Sequence, residues 1–160
     1  MNSINADLHC HSVISDGTLT PEDLALRAKR NGVELWALTD HDEIGGQARA
    51  KRAANEVGID YLGGVEISVS WAGQTVHIVG LGIDFTDQVL IDGLKKTRDG
   101  RALRGKQMAD DLAKVGISGA YEGALQFAGN SELLSRTHFA RFIVDRGFCK
   151  TTEEVFQRYL

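Results

Sequence analysis

At 160 residues, with 42% hydrophobic and 25% charged residues, the chain is built for one cored domain or one domain and part of another. No run approaches the roughly 20 apolar residues of a membrane span, and the N-terminus lacks a basic-then-apolar signal pattern, so the expected place is the cytoplasm, with no membrane partner. The net charge of −4 hides an asymmetry: residues 1–91 carry 6 Lys and Arg against 13 Asp and Glu, and residues 92–160 carry 12 against 9. An acidic half suits cations, and a mildly basic half beside it suits an anionic substrate.

Ile4 to Cys10 alternates apolar and polar residues and reads as a short strand, which points Asp7, His9 and His11 to one face and Leu8 and Cys10 to the other. Two imidazoles and a carboxylate converging on one face are either exposed strand residues or ligands of a divalent metal. Cys10 and Cys149 lie far apart without C-x-x-C spacing, so neither a disulfide framework nor a structural zinc site is expected. Next comes a polar loop holding Ser15-Asp16-Gly17, in which Asp16 is a turn residue or a ligand.

Thr20-Pro21-Glu22-Asp23 is a helix start with Thr20 as N-cap, and Gly32 ends that helix at about Asn31. Val33 to Thr39 is a nearly continuous apolar run, as in a strand buried on both faces of a parallel sheet, and it finishes in Asp40-His41-Asp42. Two successive strands therefore each end in carboxylate and imidazole, where α/β folds place their chemistry. A second helix opens at Gly45-Gly46 and runs to about Val57, followed by a strand at Ile59 to Leu62.

The runs Val65 to Trp71 and Thr75 to Leu81 flank Ala72-Gly73-Gln74, a hairpin signature with Glu66 ahead of the first arm and His77 within the second. A lone His among Val, Ile and Leu is either a satisfied core residue or, paired with Glu66, a ligand. From about Asp87 the pattern turns helical: Gln88 to Lys96, Arg98 to Val115, Leu133 to Gly147 and a start at Thr152. Residues 1 to about 90 read as an α/β unit and 91–160 as a helical subdomain.

Asp7-x-His9-x-His11, Ser15-Asp16-Gly17, Thr39-Asp40-His41-Asp42, Gly64-Val65-Glu66 and Val76-His77 form an ordered series. That series resembles the PHP (polymerase and histidinol phosphatase) family of metal-dependent phosphoesterases. Val69-Ser70-Trp71 through Val76 to Asp84, and Ser135-Arg136-Thr137-His138-Phe139-Ala140-Arg141, resemble its branch of RNase AM and nucleoside 3',5'-bisphosphate phosphatases. The resemblance implies part of a distorted (β/α)7 barrel interrupted by a helical insertion, with up to three divalent metals, manganese foremost and zinc or iron as alternatives. Carried over by motif, the metal ligands are His9, His11, Asp16, His41, Glu66 and His77, with Asp7 and Asp40 orienting imidazoles.

The family completes its site with a further His and an Asp-x-His pair. The five His of this chain are His9, His11, His41, His77 and His138, so the expectation is a fragment of a longer protein, or a second chain supplying the rest of the barrel. The expected reaction is hydrolysis of phosphate from 3',5'-bisphosphonucleotides or 5'-phosphorylated short RNA, with no DNA-specific binding. Arg136 then clamps a phosphate, its alternative being a surface salt bridge, and His138 binds phosphate or protonates the leaving group. The competing readings are a histidinol-phosphate-type or general phosphatase, and a metal-binding module without turnover.

Overall fold

A computed structural model describes residues 4–72, 74–128 and 130–160; Gly73, in the anticipated hairpin turn, and Gly129 lie outside the described residues. The chain divides into two compact units, Met1–Thr97 and Arg98–Leu160.

The first unit is built on three very short parallel strands in the order β1 (Ala6–Asp7), β2 (Leu35–Trp36) and β3 (Asp60–Tyr61), with Asp7 opposite Trp36 and Trp36 opposite Tyr61. The anticipated strands over 4–10 and 33–39 are thus only two residues long. Beyond them the backbone stays laced: Ala37 N–H donates to Asp7 O and Thr39 N–H to Cys10 O, each at 2.9 Å.

Helix α1 (Pro21–Arg30) begins as its sequence dictates, with Thr20 Oγ1 accepting from Asp23 N–H, Pro21 at the first position and Glu22 and Asp23 in the first turn. Helix α2 (Gln47–Val57) ends on Gly58 at φ +69°. Alanines at 25, 28, 50, 53 and 54 let the two helices pack closely against Val33, Trp36, Leu38 and Ile59. Arg49 forks onto Glu22 across the helix pair at 2.7 and 2.8 Å and holds its carboxyl below the usual range, an exposed bond of small worth.

One buried side chain ties the sheet to the strand pair after it. Gln47 donates from Nε2 to Leu38 O at 2.9 Å and Gly64 O at 2.8 Å, while its Oε1 accepts from Tyr61 O–H at 2.7 Å and Gly64 N–H at 3.2 Å. Gly64 opens β4 (Gly64–Trp71), which pairs antiparallel with β5 (Gln74–Leu81), Ser68 opposite His77. The first arm therefore begins before Glu66, which stands inside the strand and not ahead of it. At its start β4 also runs parallel beside residues 40–42, through a bridge between His41 and Glu66. Helix α3 (Gln88–Asp99) comes next.

The second unit holds α4 (Arg101–Lys114), α5 (Ala120–Leu125), a 3-10 turn (Ser131–Leu133), α6 (Arg136–Asp145) and α7 (Thr152–Arg158). Its own core gathers Leu112, Ile117, Ala124, Leu134, Phe139, Phe142, Ile143 and Val155. No helix among the described residues is long and apolar enough to cross a membrane.

Because Gln47 satisfies four partners in a dry setting, Gln47→Leu is expected to lower stability by about 3 kcal/mol by stranding backbone groups of Leu38 and Gly64. Urea denaturation measures this; a loss of under about 1 kcal/mol would contradict the clamp.

Candidate metal centre

The segments after β1 and β2, together with the middle of β5, deliver four imidazoles in a row. Ring centroids step 5.2 Å from His9 to His11, 4.4 Å from His11 to His41 and 4.8 Å from His41 to His77. Glu66 faces that row, 5% exposed, with Oε2 at 2.7 Å from both His9 Nε2 and His11 Nε2 and 3.7 Å from His41 Nδ1; Oε1 lies 3.5 Å from His77 Nδ1. Asp16, 8% exposed, sits at the other side, with Oδ1 at 3.0 Å from His11 Nδ1 and Oδ2 at 3.8 Å from His41 Nε2.

These groups form three interlocking triads: His9, His11 and Glu66; His11, Asp16 and His41; His41, Glu66 and His77. Within each, three ligand atoms lie within 4.8 Å of one another. His11, His41 and Glu66 each belong to two triads. Every residue assigned to the metal from its motif lies in this cluster, and mixed imidazole and carboxylate donors suit a first-row divalent cation.

The bonding of His11 tests the fit. Both of its ring nitrogens face carboxylates, so with protein groups alone both must carry protons. Burial opposes that charge, but Asp16 and then Glu66 outweigh it and raise the His11 pKa above the ordinary imidazole value. Glu66 is the mirror case: burial pushes its pKa up, while the bond from His9 and the charges of His41 and His11 bring the balance down. A divalent cation satisfies the same lone pairs without borrowing protons, so the donor set fits one.

Asp40 sits behind the cluster, wholly buried, and its carboxylate accepts from Ser12 N–H at 2.7 Å, Ser12 Oγ–H at 2.7 Å and Ser15 Oγ–H at 2.6 Å. Burial pushes the Asp40 pKa up against those hydroxyl bonds. The contacts make Asp40 the anchor of the loop that presents Asp16. Gly17 closes that loop so tightly that a Cβ there would strike the His11 carbonyl oxygen and carbon. Asp7 stands in β1, partly buried. Cys10 turns away: its Sγ accepts from Trp36 Nε1–H at 3.2 Å, and burial pushes its thiol up to about 12.

Arg136 and His138 lie in the second unit, on the first turn of α6. The Arg136 guanidinium stands 5.8 Å from the centre of the Phe156 ring. His138 is wholly buried and closes a capping box: Ser135 N–H donates to its Nδ1 at 3.1 Å. That bond fixes the neutral tautomer with the proton on Nε2. A histidine in place of the usual Glu or Gln of this motif carried no sequence signal of a cap, and neither did Ser12, Ser15 and Gln47.

The model of the PHP domain matches residues 7–144. The chain is 51% identical over 156 residues to a 3',5'-nucleoside bisphosphate phosphatase of Chromobacterium violaceum, covering 98% of this chain and 55% of that protein. It is 44% identical over 154 residues to a 5'-3' exoribonuclease of Haemophilus influenzae, covering 96% and 56%. The solved structure of a candidate metal-dependent phosphoesterase from Bifidobacterium adolescentis superposes with a TM-score of 0.87 at 29% identity, over 99% of this chain and 56% of that one. The chain spans about half the length of the curated relatives it matches.

The shifts set a pH dependence. In chelator-treated protein the raised His11 contributes stability below its unfolded pKa that is lost as pH rises through its folded value. The lowered Glu66 contributes above the unfolded carboxylate pKa and loses it as pH falls through its folded value. Metal-free stability should therefore peak in the mildly acidic window between them, and the gain in Tm on adding Mn2+ should grow from about pH 5.5 towards about 7.5 as the proton on His11 is displaced. Differential scanning fluorimetry against pH checks this; a metal-induced gain independent of pH would contradict it.

Proposed function

This chain belongs to the PHP domain family, and from that premise we propose that it supplies the metal centre of a phosphoesterase that hydrolyses phosphate from 3',5'-bisphosphonucleotides or from 5'-phosphorylated short RNA. The observation that carries the reading is the trio of interlocking triads built on His11, His41 and Glu66. The substrate class is supported by the activities named for the two relatives above. The same reading takes the first unit as part of a distorted (β/α)7 barrel, supported by its parallel strands and intervening helices.

In this proposal His9, His11, Asp16, His41, Glu66 and His77 hold up to three divalent cations, manganese by preference and zinc or iron as alternatives. Bound there, such cations neutralise phosphoryl oxygens, acidify water and offset charge on the leaving oxygen. The protein's own work is to place them. Asp40 holds the Ser12–Gly17 loop so that Asp16 meets His11 and His41, and the shared Glu66 carboxylate sets the spacing between neighbouring triads.

Arg136 is proposed to clamp a substrate phosphate, and His138 to bind phosphate or give up its Nε2 proton to the leaving oxygen. The cap leaves the proton on Nε2, an atom that is buried here, so donation to a substrate requires the chain to open around His138. The mildly basic balance of residues 92–160, 12 Lys and Arg against 9 Asp and Glu, suits an anionic nucleotide or RNA ligand.

Three substrates separate this reading from its competitors. Turnover of a 3',5'-bisphosphonucleotide or a 5'-phosphorylated oligoribonucleotide well above that of histidinol phosphate supports it, and the reverse order contradicts it. His9→Ala should abolish turnover with little change in far-UV circular dichroism; full activity in that variant would contradict the ligand assignment.

His138→Gln keeps a capping-box side chain while removing the ring. The expected outcome is a Tm within a few degrees of wild type and kcat reduced by roughly 10²–10⁴-fold. Unchanged kcat would assign His138 to the cap alone.

A further inference from the structure

We infer that Asp42 is the positioning residue that fixes the β4–β5 hairpin, with Glu66 and His77 on it, against the strand end bearing His41. The inference rests on the metal-centre reading above. The bridge between His41 and Glu66 is a parallel rung: Glu66 N–H donates to Asp40 O at 3.2 Å, and Asp42 N–H donates to Glu66 O at 2.9 Å. In a regular parallel ladder the next rung runs from Ser68 N–H to the backbone carbonyl of residue 42. Here Ser68 N–H donates instead to Asp42 Oδ1, at 2.7 Å.

The backbone explains the exchange. Asp42 sits at φ +50°, in the left-handed region, where the chain leaves the strand for the turn into α2. Asp is among the few residues other than Gly that visit this conformation, at some cost in strain. The wholly buried carboxylate takes over the rung that the turning backbone gives up, so the ladder gains one more bond as the chain departs. Ser68 is two residues beyond Glu66 on β4 and directly opposite His77 on β5. Pinning Ser68 therefore sets both side chains at once, and with His41 next to Asp42 it sets the whole His41, Glu66 and His77 triad.

Two substitutions test the rung. Asp42→Gly adopts φ +50° freely but removes the acceptor, whereas Asp42→Asn keeps an oxygen in place and removes the charge. The readouts are isothermal titration with Mn2+ and the exchange rate of the Ser68 amide in metal-free protein. For Asp42→Gly the expected result is a roughly 10–100-fold loss of affinity for the cations held with Glu66. The cation of the His11, Asp16 and His41 triad, which has no hairpin residue, is spared, and the Ser68 amide exchanges at least about tenfold faster. Asp42→Asn should stay near wild type in both readouts.

Equal weakening of every cation, or wild-type affinity and exchange in Asp42→Gly, would overturn the inference. So would an Asn variant as impaired as the Gly variant. If Asp42→Gly does not fold, the Asn variant decides alone, with retained affinity and slow Ser68 exchange supporting the rung and their loss overturning it. A wild-type protein that takes up no Mn2+ sinks the metal-centre reading instead, while Ser68 exchange still decides whether Asp42 anchors the hairpin.

Discussion

A single carboxylate shared among several imidazoles governs the first unit. Glu66 lies within 4 Å of nitrogens on His9, His11, His41 and His77, which come from three separate segments of the chain. Bringing these groups out of water costs free energy that their mutual bonds only partly return, because His11, which faces carboxylates with both ring nitrogens, carries a charge that burial opposes. The opposed pKa shifts of His11 and Glu66 are the record of that compromise. A cation at the same point removes the compromise, which is why the cluster is read as a ligand set and not as a salt bridge.

Holding such a cluster requires backbone that does not relax. Regular pairing in the parallel sheet amounts to two residues per strand, too little to fix side chains well beyond its ends. Buried side chains do the rest: Asp40 gathers the Ser12–Gly17 loop, Gln47 stitches Leu38 and Tyr61 to Gly64, and Asp42 continues the ladder onto Ser68. Each is buried and meets backbone groups that would otherwise be stranded without water. Local strain at Asp42 and the exclusion of any Cβ at Gly17 are what this tight closure demands.

The limits of α1 and α2 were legible, because Thr20-Pro21, Gly58 and the small-residue spacing in α2 act locally. By contrast, α3 runs three residues past Lys96, α6 starts at Arg136 and not Leu133, and α5 lies in a stretch that was not read as a helix. The hairpin was legible from two β-rich runs around a short turn. Strand lengths were not: an apolar run reports burial, whereas pairing depends on partners far along the chain. The ligand-type residues showed themselves as an ordered series of motifs, although Glu66 and His77 stand inside strands and not at their ends. Their supports did not. Ser12, Ser15 and Gln47 look like ordinary polar residues until the fold buries them, and His138 reads as chemistry although its Nδ1 caps a helix.

Divalent cations bound around Glu66 by His9, His11, Asp16, His41, Glu66 and His77 would show in anomalous scattering from crystals grown with Mn2+. Peaks are expected between His9, His11 and Glu66, between His11, Asp16 and His41, and between His41, Glu66 and His77. Manganese bound elsewhere, with these side chains still joined only to one another, would contradict the ligand assignment.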